Sequence, residues 1–158
     1  MSAVRILGAL LLLVAGGTAA VYSSRYEKRR LTVLEGWIHL IRYAKGEIDC
    51  HLTPLRDILT HADPAMLRAC GGNGEEQTLT ALLNASYQYL DGEAKRLISC
   101  LVRDAGGCYR EEQLRQLDYY LQALQRERDE LFLHLPQKTR AKRAICICIS
   151  FGAAILLW

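Results

Sequence analysis

The side chains most able to do chemistry are six cysteines and four histidines, and their spacing matches no catalytic or metal site. Cys50 and His51 are adjacent, and neighbours on a helix point about 100° apart instead of pairing. There is no C-x-x-C pair, and no histidine lies at a zinc-ligand spacing from a cysteine. The run Gly71–Gly74 lacks the Lys-Ser/Thr that a nucleotide phosphate site adds. We therefore predict a protein that is not an enzyme, with no catalytic residue, no cofactor and no metal.

Charged side chains are unevenly distributed along the chain. Residues 31–137 contain eleven Lys and Arg against sixteen Asp and Glu, a balance of −5. Nucleic-acid binding requires a basic face, so we predict no nucleic-acid partner. An acidic domain suits a basic protein partner, although an ordinary solvated surface has the same composition. The candidate partner-contact residues are the acids that flank the Gly106-Gly107 turn: Asp104, Glu111 and Glu112.

Both ends of the chain are apolar and uncharged. With its neighbours, Ile6–Val21 is close to the ~20 residues that a membrane-spanning helix needs, whereas the last run, 144–158, gives only ~22 Å of helix. Each run has four basic residues on its inner side, and the last ends in a tryptophan, which favours membrane interfaces. We predict transmembrane helices over residues 4–22 and 144–158. The basic residues are Arg25, Lys28, Arg29, Arg30, Lys138, Arg140, Lys142 and Arg143.

These basic clusters also predict the orientation. Positive charge stays on the cytoplasmic side of a membrane, which places residues 23–143 in the cytoplasm and both termini on the far side. The predicted localisation is therefore a cell membrane crossed twice. In the cytoplasm, free thiols are the default state of the cysteines.

Two other interpretations of the ends stay open. The first run could be a secretory signal peptide with Thr18-Ala19-Ala20 as its small-residue site, although the basic residues that follow oppose translocation. The last run could be a buried core helix, because apolar runs of this length are ambiguous.

Between the ends, every segment has the helical period. A first helix over 25–50 continues from the first apolar run without an intervening proline. Thr53-Pro54 and Asp63-Pro64 each predict the start of a short helix, with Thr or Asp as N-cap and Pro at the first helical position. Further helices are predicted over 75–89 and 93–104.

The last helix, predicted over Arg110–Leu135, is the most regular. Its leucines follow alternating spacings of three and four, and Arg128 takes the one broken position. Pro136 predicts a break or kink at its end. The fold class is therefore all-α, an antiparallel helical bundle flanked by the two transmembrane helices. The leucines are Leu114, Leu117, Leu121, Leu124, Leu131 and Leu135.

One segment resembles a known family. Residues 47–55 resemble the E-I-x-x-x-x-T-P-L signature of the stage III sporulation protein AB family of endospore-forming bacteria. The spacing of Gly107, Tyr109, Gln113 and Leu117 is also similar, as is Gly152 in the closing run. The residues that carry the signature are Glu47, Ile48, Thr53, Pro54 and Leu55.

The resemblance implies a structural role. Such proteins are similar to the inner-membrane platform domain of type II secretion and type IV pilus systems. The resemblance implies a complex between mother cell and forespore, in the mother-cell membrane, beside a secretion-type cytoplasmic ATPase and other sporulation-complex membrane proteins. A homo-oligomer is compatible with this interpretation.

Three other classes stay open. The chain could be a membrane-tethered adaptor whose last helix pairs with another coiled coil. It could be a secreted helical protein with a cleaved leader and disulfides, or a small membrane enzyme.

Overall fold

A computed structural model of the chain describes residues 2–51, 54, 57–105 and 109–156, and these ranges contain helices and connecting segments but no strand. The prediction of an all-helical fold is therefore confirmed. The helices within these ranges are α1 (Ser2–His51), α2 (Ile58–His61), α3 (Pro64–Ala69), α4 (Leu79–Ser86), α5 (Gly92–Asp104) and α6 (Arg110–Leu156).

The chain divides into two compact units. Residues 29–131 form one, which we call the core domain, and residues 1–28 with 132–158 form the other, which we call the paired ends. The predicted domain boundaries of 4–22, 23–143 and 144–158 stay a prediction. Over the part of the chain that the structure describes, no helix combines the length and the apolar character that crossing a membrane demands.

The first helix is continuous, as predicted, and two of its glycines, Gly36 and Gly46, lie in the core domain. A Cβ atom added to Gly36 would lie 2.6 Å from the carbonyl carbon of Ala69 and 2.7 Å from the backbone nitrogen of Cys70. Glycine at position 36 therefore lets the end of α3 pack directly on the backbone of α1. At Gly46 the added atom would meet nothing within 4 Å, so no such contact depends on that residue.

The two proline signals had different outcomes. Asp63 caps α3, accepting a hydrogen bond from the Ala65 backbone N–H at 2.8 Å, with Pro64 in the first turn as predicted. Pro54 does not begin a helix: its carbonyl accepts the Asp57 N–H at 2.9 Å in a turn, and α2 starts at Ile58. The fixed φ of a proline suits a turn as well as the first position of a helix. The sequence therefore predicted the start of this helix too early in the chain.

Helix α4 begins later than predicted because the residues before it form a loop. The Glu76 carboxylate accepts hydrogen bonds from the backbone N–H groups of Asn73 at 2.5 Å and Gly74 at 3.0 Å. The Arg68 guanidinium donates to the Asn73 carbonyl at 3.2 Å. Thr78 then caps α4, accepting from the Ala81 N–H at 3.2 Å. Glu76 is thus used to close the loop and not to extend the helix.

Helix α6 does not stop at Pro136, and it continues to Leu156. The predicted end at Leu135 is therefore wrong. A proline removes one backbone hydrogen bond but keeps a helical φ, so a long helix can continue through it.

In the core domain, α1 and α6 run antiparallel. The Lys45 ammonium pairs with the Asp118 carboxylate at 2.6 Å, and Arg110 pairs with Asp49 at 2.7 Å, so residue numbers rise on one helix as they fall on the other. The largest fully buried side chain is Trp37, whose indole N–H donates to the Ser86 hydroxyl at 3.2 Å.

The leucine stripe of α6 packs into the core of its own chain. Leu117 and Leu124 are buried, and Leu114, Leu121 and Leu131 are partly buried against the same cluster. This core occupies the face of α6 that a coiled-coil partner would need.

Candidate partner-contact surface

Arg110 joins the start of α6 to the end of α1. Its Nη2 group donates to the Asp49 carbonyl and to the Asp49 carboxylate, each at 2.7 Å, and its Nε–H donates to the Ile48 carbonyl at 3.3 Å. The last carbonyls of a helix lack intrahelical donors and carry partial negative charge, so a guanidinium is favoured there. Arg110 thus satisfies the C-terminal carbonyls of α1 and fixes the first turn of α6 beside them.

The first turn of α6 carries two of the three predicted contact residues. Glu111 and Glu112 are exposed, and Glu112 lies 3.9 Å from the Arg115 guanidinium. Tyr109, just before the helix, is 93% exposed. Tyrosine is enriched at protein interfaces, so an exposed Tyr109 ring favours a contact here. We call Tyr109, Glu111 and Glu112 the α6 entry surface.

The third predicted residue, Asp104, is placed differently. Its carboxylate accepts the Tyr120 hydroxyl at 3.0 Å and the Arg103 Nε–H at 3.3 Å. Burial, and then the hydrogen bond to Asp104, raise the pKa of Tyr120 to about 12, so the phenol stays a donor. Tyr120 lies about two helical turns beyond Glu112 along α6. No hydrogen bond or ion pair among the described residues links Asp104 to Glu111 or Glu112.

The family-like segment is partly described. Ile48 is a buried core residue and Glu47 is half-buried. Partial burial, followed by the nearby Glu47 carboxylate, raises the pKa of Tyr43, whose hydroxyl donates to the His61 carbonyl at 3.3 Å. Thr53 and Leu55 lie outside the described residues.

The turn predicted at Gly106-Gly107 also falls outside the described residues. The three predicted contact residues are therefore placed by the helices on either side of it. The C-terminal end of α5 holds Asp104, and the first turn of α6 holds Glu111 and Glu112.

The described cysteines are free thiols at Cys50, Cys70, Cys100 and Cys148. Burial, and then the charge of Glu76, raise the pKa of Cys70 to about 12, which keeps this thiol protonated and unreactive. Within the described ranges, no group of three or more His, Cys, Asp and Glu side chains could hold a metal ion.

Sequence reasoning missed two residues of this region. Arg110 contacts Asp49 across 61 positions, and no local pattern reports a contact over that separation. The exposure of Tyr109 had no signal either, because an aromatic residue next to a helix start is as compatible with burial as with exposure. Tyr109 directly precedes Arg110, so it lies near the C-terminal end of α1, which Arg110 contacts.

The chain was compared with known proteins. Residues 5–158 match the family model described as stage III sporulation protein AB, which covers nearly the whole chain. No curated protein and no solved structure matches the chain.

Proposed function

Because the chain belongs to the stage III sporulation protein AB family, we propose that it is a non-enzymatic membrane platform that docks a cytoplasmic ATPase during sporulation. Its place would be the membrane of the mother cell, in a secretion-like complex that faces the forespore. Membership of the family makes it a protein of stage III of sporulation. The membrane, the ATPase and the scaffold role are the proposal.

The membrane part of the proposal is supported by the two uncharged runs and by the side chains described within the paired ends. Val14, Val21 and Ile145 are 55%, 50% and 57% exposed. These three side chains lie within the uncharged runs, and exposed apolar side chains on such a run are what a lipid surrounding favours.

The proposal that the core domain is cytoplasmic rests on the same basic clusters that predict the orientation. With four cations beside each uncharged run, residues 29–131 would remain in the cytoplasm, where an ATPase is accessible. The core domain carries the acidic balance that would attract a basic partner surface.

The observation that carries the docking proposal is the α6 entry surface. Tyr109 is nearly fully exposed, and Glu111 and Glu112 are exposed beside it. Arg110, between them in sequence, is held against Asp49, so the backbone that presents these three side chains is fixed before a partner arrives. Pre-organised side chains lose less entropy on binding, which favours affinity.

Asp104 contributes less to this surface than the sequence predicts. Its carboxylate already accepts two hydrogen bonds within the chain, so a partner cation would have to compete with Tyr120 and Arg103. We therefore place the docking contact on Tyr109, Glu111 and Glu112, with Asp104 as a structural residue.

The test is a pull-down from sporulating cells with the full-length chain, solubilised in mild detergent, as bait. We expect a secretion-type ATPase with the wild-type chain. The double variant Glu111→Lys with Glu112→Lys should recover much less of it, and so should Tyr109→Ala. Raising the salt concentration should weaken the wild-type interaction, because exposed charges are screened over about 10 Å at 0.1 M salt.

A matched control reverses the same number of charges elsewhere. Glu75→Lys with Glu130→Lys changes two other exposed acids of the core domain and should recover the ATPase as the wild type does. Equal loss in both double variants would show a general charge effect and would reject the α6 entry surface. Recovery of no ATPase with the wild-type chain would reject the proposed partner.

A further inference from the structure

We propose that the paired ends contain a binding site for anionic phospholipids, formed on α1 by Tyr22, Arg25 and Tyr26. This inference rests on the proposed membrane location and names the lipid class that the protein would select there.

Aromatic and apolar side chains of this unit are exposed near its basic residues. Tyr22 is 75% exposed and Tyr26 is 39% exposed on α1, and Phe132 and Leu133 on α6 are 64% and 69% exposed. Proteins in water rarely leave such side chains together at the surface. Tyrosine prefers the headgroup level of a membrane, because its ring is apolar and its hydroxyl is polar.

The three residues of the proposed site share one face of α1. Arg25 lies three positions after Tyr22 and Tyr26 lies four positions after Tyr22, and both are spacings of helical neighbours. The guanidinium therefore lies between an aromatic face and the start of the basic cluster. In this position the Arg25 guanidinium lies at the level of the lipid headgroups, while the rings of Tyr22 and Tyr26 contact the upper part of the acyl chains.

The surface beside these residues is an open recess. It is lined by Gly17, Thr18, Val21, Tyr22 and Arg25. A Cβ atom added at Gly17 would meet nothing within 4 Å, so the floor of the recess is clear of other atoms there. One end of the recess is formed by small and apolar residues and the other end by a cation, which is the polarity of a phospholipid from acyl chain to phosphate.

The charge of the site selects the headgroup. Arg25 is exposed, and no ion pair is described for it among the residues of the structure. An arginine can bind a phosphate with two parallel hydrogen bonds. Residues 25–30 contain four Lys and Arg against one Glu, so the local charge is positive and favours a lipid with net negative charge over a zwitterionic one.

The test uses the full-length chain, reconstituted into vesicles with equal amounts of phosphatidylglycerol and phosphatidylcholine. After mild detergent extraction, the bound lipids are counted by native mass spectrometry. We expect phosphatidylglycerol to exceed phosphatidylcholine by about fivefold, the factor that one cation near an anionic surface supplies. Arg25→Gln should remove most of this excess, and Tyr22→Ser should reduce the total lipid retained.

Controls separate this inference from the proposed membrane location. Arg115→Gln changes an arginine that is also exposed but lies in the core domain, and it should keep the excess. A wild-type chain that enters vesicles of either lipid without any excess would overturn the lipid site and leave the membrane location standing. A chain that associates with no vesicle would overturn both.

Two further results would also overturn the site. One is an equal excess in Arg25→Gln and Arg115→Gln. The other is full displacement of bound lipid by inorganic phosphate, which would show a simple anion site with no use for the apolar end of the recess. We expect inorganic phosphate to leave the bound phosphatidylglycerol in place.

Discussion

Helix α1 belongs to both units, and its side chains behave oppositely in the two. In the core domain, Val33 and Trp37 are completely buried. In the paired ends, Val21 is half exposed, and the buried side chains described there are Ser24 and Glu27. The core domain supplies its own apolar surroundings, whereas the apolar side chains described in the paired ends are exposed. A helical pattern in the sequence therefore identifies the helix but does not identify what covers it.

The largest effect that would sharpen this comparison is expected at Gly36. Gly36→Ala places a methyl group 2.6–2.7 Å from backbone atoms of Ala69 and Cys70, which cannot rotate away. We expect the free energy of unfolding to fall by about 3 kcal/mol, the upper part of the range for overpacking. Urea unfolding of the full chain, followed by circular dichroism, would measure it.

Gly46→Ala is the matched control on the same helix. Its new methyl group meets no atom within 4 Å, and alanine is the better helix former, so stability should stay equal or rise by up to about 1 kcal/mol. A similar loss in both variants would contradict the close contact between α1 and α3.

A pair of valines tests the comparison directly. Val33→Ala removes two buried methyl groups and should lower the free energy of unfolding by about 2 kcal/mol. Val21→Ala removes the same groups from a half-exposed site and should stay within about 0.5 kcal/mol. The measurement is again urea unfolding of the full chain. Equal losses would mean that the two regions of α1 are covered alike, and the comparison would be wrong.

The smallest expected effect is pH-dependent and concerns the loop before α4. Partial burial opposes ionisation of Glu76, but the backbone N–H groups of Asn73 and Gly74 outweigh it and lower the pKa of the carboxyl. A carboxyl with a lowered folded-state pKa contributes stability above its unfolded pKa of about 4.3 and loses it as the pH falls through the folded value. Glu76→Gln should therefore cost about 1 kcal/mol at neutral pH.

The same variant should approach the wild type in acid. Thermal melting from neutral pH to below the ordinary glutamate pKa would show the difference in melting temperature closing as Glu76 becomes protonated. Glu75→Gln alters an exposed neighbour and should show little difference at any pH. A constant gap for Glu76→Gln across the pH range would contradict the role of its charge.

Local signals in the sequence predicted part of the fold. Asp63 with Pro64 predicted the start of α3, because a cap and its helix are adjacent in the chain. The leucine period predicted the buried face of α6, because burial of one face imposes that period. Pro136 misled the prediction, since a proline lowers the stability of a helix without always ending it.

The candidate site was harder to predict because its geometry depends on distant residues. Glu111 and Glu112 were identified from charge and from their place after a turn. Their fixed position comes from Arg110 and Asp49, which are 61 residues apart. Asp104 looked equivalent to them in sequence, but Tyr120 determines its surroundings, and that pairing follows from the packing of α5 against α6.

The bonds between Arg110 and the end of α1 also set an order of events during synthesis. Asp49 leaves the ribosome 61 residues before Arg110 does, a delay of roughly 3–12 s at ordinary rates of translation. During that interval the α6 side chains that cover α1 have not been made, so the apolar face around Trp37 is open to chaperones. Helix α1 is thus made before the other helices of the core domain, but its apolar face is fully covered only after α6 has been made.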